Sequence, residues 1–349
     1  MNRREFGRAA VAGAAGLMLP RASRAGDRPY RYVHLDVFTD VRLAGNQLLV
    51  FPDPSGLDAD AMLALTRESN YSECTFVFKP EQPGTDHRVR IFTRTAETPF
   101  AGHPTIGTAF ALAYVGVLKP SMTSSTFGLG VGPTKIDLEW KGSALAFAWM
   151  AQLKPTFGKT IDDAAALAAA IGLNGDDVRS GRPGVPAAQE VNCGSTFLVV
   201  PLATRRVVDA AALDRPKLDA LLNAAGLQRR SVYVFSTDDS GSASLSGERR
   251  ASTGSSASLS GERQLYSRLL GTGGIEDPAT GSAAGPAGCF AVRYGLVPQT
   301  SANAIEFLQG VLVRRPSHIH VRISTSGGDI ASVQVGGSAV VVGEGTMTA

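Results

Sequence analysis

One segment of this chain has a weak duplicate later in the sequence, and that duplication limits what the chain can fold into. Residues 97–116 read ETPFAGHPTIGTAFALAYVG and residues 276–295 read EDPATGSAAGPAGCFAVRYG. Without a gap, Glu97 falls on Glu276, Pro99 on Pro278, Gly102 on Gly281 and Gly116 on Gly295. Each copy is a Pro/Gly turn that enters an apolar helix and leaves it on glycine. A glycine-rich entry exposes backbone N–H groups at a helix N-terminus, and these, with the helix dipole, favour a carboxylate or a developing negative charge. Two such ends facing across a domain cleft grip an anionic substrate from both sides, and such a cleft is a common place for a small-molecule site.

The rest of the pattern fits two similar halves. A chain of 349 residues, 44% hydrophobic and with 39 glycines, can bury two cores and make many tight turns. The first half, 30–149, reads as strands at YRYVHLDVF and LLVF, a helix at Ala59–Ser69 capped by Asp58, and strands at CTFVF and RVRIF. The apolar helix Pro104–Val115 and strands at 135–140 and 144–149 follow. Residues 150–155 read as a crossing between domains. The second half, 150–335, repeats the order with helices at 162–170 and 283–294 and strands at 196–200, 231–235, 318–323 and 332–335. A last strand, 336–346, is expected to return to the first half. Asp238–Glu262 breaks the pattern: it is rich in Ser, Gly and Arg, and SASLSGER stands at 242–249 and again at 256–263. Such a tract cannot bury a core of its own and is expected to be a flexible insertion between two strands.

The formal charge of +3 comes from the N-terminus. Residues 1–25 hold Arg3, Arg4, Arg8, Arg21 and Arg24 against Glu5, leaving 29 basic and 30 acidic residues in the body. A near-neutral body gives no electrostatic reason to bind nucleic acid. Twin arginines, the apolar stretch Ala9–Leu19 and the small-residue site Ser23-Arg24-Ala25 have the order of a secretory signal of the twin-arginine type. The expectation is recognition by the Tat export machinery and a periplasmic or secreted protein. The apolar stretch is shorter than the roughly 20 residues of a permanent membrane span. The three cysteines, Cys74, Cys193 and Cys289, lack metal-type spacing and sit in apolar runs, so they read as small buried hydrophobes. His318 and His320 form an H-x-H pair without a clear third ligand and read as ordinary strand residues. Glu97 and Glu276 read as acids that complement the helix dipoles.

NYSECTFVF (70–78), ETPFAGHPTIGTA (97–109) and EDPATGSAAG (276–285) resemble the three signature segments of PhzF-type, phenazine biosynthesis-like proteins. HLDVFTDVRLAGN (34–46), LQGVLVRRPS (308–317) and VGGSAVVVGEG (335–345) extend the resemblance over about residues 30–345. It implies an α/β (α+β) fold like that of diaminopimelate epimerase: two pseudo-symmetric domains, each a curled sheet around a central helix. It implies a homodimeric isomerase with no organic cofactor and no metal. By the same resemblance Glu73 matches the family's catalytic glutamate, and His103 and Asp277 match polar residues of its cleft. Gly102, Gly281 and Ser282 match the turns that hold the substrate carboxylate. Epimerases of this fold carry a cysteine just before the glycine of each turn. Ala101 and Thr280 stand there instead, and neither can serve as a thiol base. Gln47 and Arg94 depart from the family pattern, each standing where proline is usual, and Arg268 sits at a place similar to that of Arg94.

The chemistry expected is cofactor-independent proton transfer on a small carboxylate-bearing substrate. Glu73 takes a proton from one carbon and returns it to another, helped by burial that raises its pKa. The helix-end N–H groups stabilise the charge that develops. The competing expectation is a periplasmic protein of the same fold that binds a small molecule without turning it over.

Overall fold

The fold is seen in a computed structural model that describes residues 28–178, 184–238, 263–271 and 276–349. The leader at 1–25 and the inserted tract from 239 to 262 lie outside the described residues. The first half of the chain forms β1 (Pro29–Val37), β2 (Asn46–Phe51), α1 (Ala59–Ser69), β3 (Glu73–Phe78), β4 (His87–Thr93), β5 (Glu97–Thr98), α2 (Gly102–Tyr114), β6 (Ser124–Leu129), β7 (Gly132–Lys141) and β8 (Ala144–Gln152). The second forms β9 (Thr156–Ile161), α3 (Ala164–Ala170), β10 (Ala188–Asn192), β11 (Thr196–Pro201), α4 (Arg205–Ala210), α5 (Arg215–Ala224), β12 (Val232–Ser236), β13 (Arg263–Leu270), α6 (Gly281–Arg293), β14 (Ile305–Gln309), β15 (Ser317–Ser326), β16 (Asp329–Gly337) and β17 (Ala339–Thr348).

All the strands belong to one curled sheet. Pairing runs β17-β1-β2-β3-β4-β6-β7-β8 in the first half. In the second it runs β9-β10-β11-β12-β13-β14-β15-β16. In both series the successive pairs are antiparallel, antiparallel, parallel, antiparallel, parallel, antiparallel, antiparallel. The halves therefore share one topology, and they are joined where β8 meets β16, Ala148–Gln152 against Gly337–Val333. The returning strand, expected at 336–346, runs 339–348 and lies on β1, where it takes the place that β9 has in the other half.

The register makes the two halves comparable residue by residue. Phe76 pairs with Arg90 as Val234 pairs with Arg268. That sets Glu73 against Ser231 and Thr75 against Tyr233. Arg88 pairs with Gly128 as Tyr266 pairs with Leu308, which sets Leu129 against Gln309 and Gly130 against Gly310. The alignment is physically consistent, because Gly130 packs on Pro99 and Gly310 on Pro278, so closely that neither glycine has room for a Cβ.

Helix α2 is buried from Gly102 through Leu112, and α6 from Gly281 through Val292. A helix buried on every side must be apolar on every side, which the Ala/Gly/Pro-rich sequences supply. Both helices pack in one hydrophobic cluster that spans the halves, from Val33, Leu35 and Val37 to Phe290, Phe307 and Val335. Each helix starts two residues before the expected position. Pro104 lies within the first turn of α2, where a missing N–H costs no helical hydrogen bond. Helices α4 and α5 go beyond what the sequence reading assigned. They start on Thr204 and Asp214, whose side chains accept from Val207 N and Lys217 N. The three cysteines are buried and free, with Cys193 and Cys289 sulfurs 4.0 Å apart. His318 pairs with Glu306, and His320 packs edge-on against Phe147 and Trp149.

Candidate active site

The two central helices meet head to head. A Cβ on Gly102 would lie 2.5 Å from Ser282 N and 2.7 Å from the Gly281 backbone, so only glycine permits this approach. Neither N-cap residue caps its helix among the described residues: Ala101 has no polar side chain to offer, and Thr280 makes no capping hydrogen bond. Their first-turn N–H groups, those of Gly102 and His103 and of Gly281 and Ser282, thus converge on one place with the positive ends of both dipoles. Phe38 wedges this junction from below. It is fully buried at φ +65 and packs on Gly281 and Gly337, both of which lack room for a Cβ.

The polar residues expected from the sequence come together here. Glu73 begins β3, His103 lies in the first turn of α2, and Asp277 lies in the turn before α6. Glu73 Oε2 is 3.4 Å from His103 Nδ1, and its side chain keeps 18% exposure, while that of His103 has 3%. Burial pushes the Glu73 carboxyl up to about 8, helped by the Asp277 charge. Burial likewise raises Asp277 to about 6, against hydrogen bonds from Thr280 and Asn46. His103 moves the other way: burial lowers it to about 3, against a hydrogen bond to the Gln47 backbone, so its ring is neutral. Its Nε2 is buried with no partner among the described residues. The site therefore offers a carboxyl that titrates near neutral pH, a neutral imidazole, and backbone donors for an anion. Among the described residues no group of three or more metal-ligating side chains is present.

Asn46 is a site residue that the sequence reading passed over. Its Nδ2 donates to Asp277 Oδ1 at 2.6 Å and to the Ala279 carbonyl at 2.8 Å, and it lies 3.1 Å from His103 Nδ1. Ser72 Oγ donates to its Oδ1 at 3.5 Å. Asn46 thus bridges the two halves, and its place at the end of a Gly-Asn turn was the only local signal. Arg315 ties down the same turn, donating to the Gly45 and Ala44 carbonyls and pairing with buried Asp36.

Glu97 and Glu276 do not serve the dipoles as expected. Arg90 holds Glu97 with two hydrogen bonds of 2.8 and 2.5 Å, and Arg268 holds Glu276 at 3.0 and 2.8 Å. Arg268 is the register counterpart of Arg90. Arg94 instead donates to Asn70 Oδ1 on the surface. In each half an Arg–Glu fork braces the turn against the neighbouring strand.

Comparison with known proteins agrees with this geometry. The family model described as phenazine biosynthesis-like protein matches residues 35–345. An uncharacterized isomerase of Mesorhizobium japonicum is 33% identical over 90% of this chain and 98% of its own length. The trans-2,3-dihydro-3-hydroxyanthranilate isomerase of Pseudomonas aeruginosa is 32% identical over 90% and 98%. Among solved structures, a predicted epimerase from Pseudomonas aeruginosa superposes with a TM-score of 0.71 at 30% identity, covering 91% of this chain and 99% of that one. A hydroxyproline epimerase from Agrobacterium vitis, at 12% identity and a TM-score of 0.57, covering 92% and 93%, shares the fold. By the match along nearly its whole described length, the chain belongs to the PhzC-PhzF family of phenazine biosynthesis-like proteins and is an isomerase.

Proposed function

We propose that this isomerase works without a cofactor, by moving one proton on a small carboxylate held between the two helix ends. The observation that carries the reading is Glu73: a desolvated carboxyl, raised to about 8, set beside the neutral His103 where two uncapped helix N-termini meet. The substrate carboxylate binds to the N–H groups of Gly102, Gly281 and Ser282. Ionised Glu73 breaks a C–H bond and keeps the proton, while the electron pair spreads into the adjoining unsaturated system. The same carboxylic acid then forms a new C–H bond at the other end of that system, so nothing is oxidised or reduced. The helix-end donors stabilise the intermediate charge. His103 Nε2, buried and unmatched, faces a polar group of the substrate, and Asp277 orients an amine or hydroxyl. The relatives' reaction makes trans-2,3-dihydro-3-hydroxyanthranilate the first compound to try.

Deuterium exchange followed by NMR tests this. Wild type and Glu73→Gln are incubated in D2O with that compound and a panel of unsaturated and amino carboxylates. Exchange by wild type and none by the variant is expected. Equal exchange by both removes Glu73 from its role, and tight binding without any exchange favours a binding protein of the same fold. We place the reaction outside the cytoplasm, on the evidence of the twin-arginine leader, and in a homodimer, as the family resemblance implies. Cell fractionation of the full chain and light scattering of the purified protein check these two parts.

A further inference from the structure

We propose that Tyr233, Gln309 and Thr280 form a directed hydrogen-bond chain that positions Asp277 and holds it ready for the substrate. The proposal rests on the proton-transfer reading above but stands on separate geometry. Thr280 Oγ1 donates to Asp277 Oδ2 at 2.6 Å. A hydroxyl has one proton, so this oxygen must accept from elsewhere, and Gln309 Nε2 donates to it at 3.0 Å. The other Nε2 proton goes to the Asp277 carbonyl at 2.9 Å. On its second side the Gln309 amide offers Oε1, which accepts from Thr280 N at 3.1 Å and faces Tyr233 Oη at 3.1 Å. Turning the amide over would set its NH2 against the Thr280 N–H, so the backbone fixes its direction and with it the direction of the Thr280 proton. Tyr233 Oη also lies 2.9 Å from Ser267 Oγ; because Gln309 Oε1 can only accept, the single Tyr233 proton belongs to it, and the Ser267 hydroxyl then turns toward Tyr233 rather than toward the Leu308 carbonyl at 3.5 Å. Tyr233, Gln309 and Ser267 are fully buried and Thr280 nearly so. Any break in such a chain leaves an unpaired polar atom out of water.

The first half of the molecule serves as an internal control. By register and by the duplicated segment, Asp277, Thr280, Gln309 and Tyr233 correspond to Thr98, Ala101, Leu129 and Thr75. The same turn, on the same Arg–Glu fork and with the same glycine against the same proline, forms there around Ala101 and Leu129. The backbone does not need the polar chain to fold. All three positions around Asp277 are polar together, in the half that supplies the carboxylate. Thr280 also stands where epimerases of this fold place a thiol; here that position serves the neighbouring acid instead.

The charged and titratable groups facing Asp277 are Glu73 from β3, Tyr233 from β12 and the adjacent Glu276, with Asn46 donating from β2; the neutral His103 from α2 lies 3.1 Å from the same Asn46 Nδ2. The Thr280 hydrogen bond is the largest influence drawing the Asp277 carboxyl down.

The test compares purified wild type with Thr280→Val, Thr280→Ser and Gln309→Leu, the last copying the first half. Each is labelled with carboxyl-13C aspartate, and the Asp277 signal is assigned from Asp277→Asn. In Thr280→Val and Gln309→Leu the Asp277 midpoint is expected to rise by about one pH unit, and in Thr280→Ser to stay within a few tenths of wild type. With trans-2,3-dihydro-3-hydroxyanthranilate, kcat of the first two is expected to fall about tenfold or more with KM changed less than about threefold, and Thr280→Ser to recover. An unmoved midpoint in Thr280→Val, or a Thr280→Ser variant as impaired as Thr280→Val, overturns the chain. Midpoints that move as expected without turnover by any form, wild type included, support the chain and count against the substrate reading. Should Gln309→Leu not fold, the Val and Ser pair decides alone.

Discussion

Glu73 is the residue on which most depends, and its counterpart in the other half is Ser231, so one carboxyl alone takes the acid/base position. With the group raised to about 8, only a minor fraction is ionised at pH 7. Because abstraction needs the ionised form, kcat/KM is expected to climb nearly tenfold per pH unit from 6.5, to bend near 8 and to level off above it. Asp277→Asn removes the negative charge that helps raise Glu73, so its profile should level off at lower pH; initial rates across the range check both. The same shift bears on stability. A carboxyl raised on folding binds its proton more tightly in the folded chain, so its stabilising contribution is present below pH 4.5 and lost as pH rises through 8. Asp277 acts in the same direction but only up to about 6. His103, lowered to about 3, opposes them up to its unfolded value of 6.5. Between pH 6.5 and 8 Glu73 alone of the three titrates. Urea midpoints should fall across that window, by at most about 1.4 kcal/mol per pH unit, and Glu73→Gln should abolish the fall. In sequence, Glu73 is an ordinary acid at the start of a strand, legible only through the family resemblance. Asn46 and Gln309 gave still less, because the groups they join to, Asp277 and its turn, are brought in from the far end of the chain or from an adjoining strand.

At the scale of elements, the site is two helix starts and the turns that hold them. Gly102→Ala places a methyl carbon against the Ser282 amide, a backbone atom that cannot swing away. We expect a loss of about 1–3 kcal/mol in stability from overpacking, and a fall in activity out of proportion to it, because the anion-binding N–H groups are pushed apart. Chemical denaturation and turnover on the same sample separate the two effects. The Arg–Glu forks differ between the halves. Arg90 and Glu97 are 19% and 40% exposed, whereas Arg268 and Glu276 are 11% and 17% exposed. Arg268 also donates to the carbonyls of Val208, Asp209 and Ala211 at the end of α4. Arg268→Ala should therefore cost about 3 kcal/mol or more and Arg90→Ala about 1 kcal/mol or less, read as shifts in denaturation midpoint. Local chemistry made most elements legible: α1 runs Ala59–Ser69 as its Asp58 cap indicates, and the duplicated Pro/Gly turns marked both central helices. It could not tell what Glu97 and Glu276 do, because a carboxylate before a helix looks the same whether it faces the dipole or an arginine on the next strand.

For the molecule as a whole, the question is whether two halves with one topology also unfold as two. The duplication in the sequence announces the symmetry but says nothing about the join, which the pairing of β8 with β16 and the return of β17 to β1 provide. The last strand of the chain thus completes the first half, and a single hydrophobic cluster runs through both central helices. Losing either half would strip the apolar face of α2 or α6 and, with β17, open the sheet at β1. Cooperative loss in one step is the physical consequence. Both tryptophans, Trp140 and Trp149, lie in the first half, on β7 and β8. Trp140 lies within the first half, and Trp149 packs on His320 and Arg322 of β15, so tryptophan fluorescence reports that half and the join, while far-ultraviolet circular dichroism reports both halves. The two signals should give superimposable urea transitions, and Gly102→Ala should shift both together. A fluorescence transition that separates from the circular dichroism would mean that the halves keep independent cores and meet only at the site.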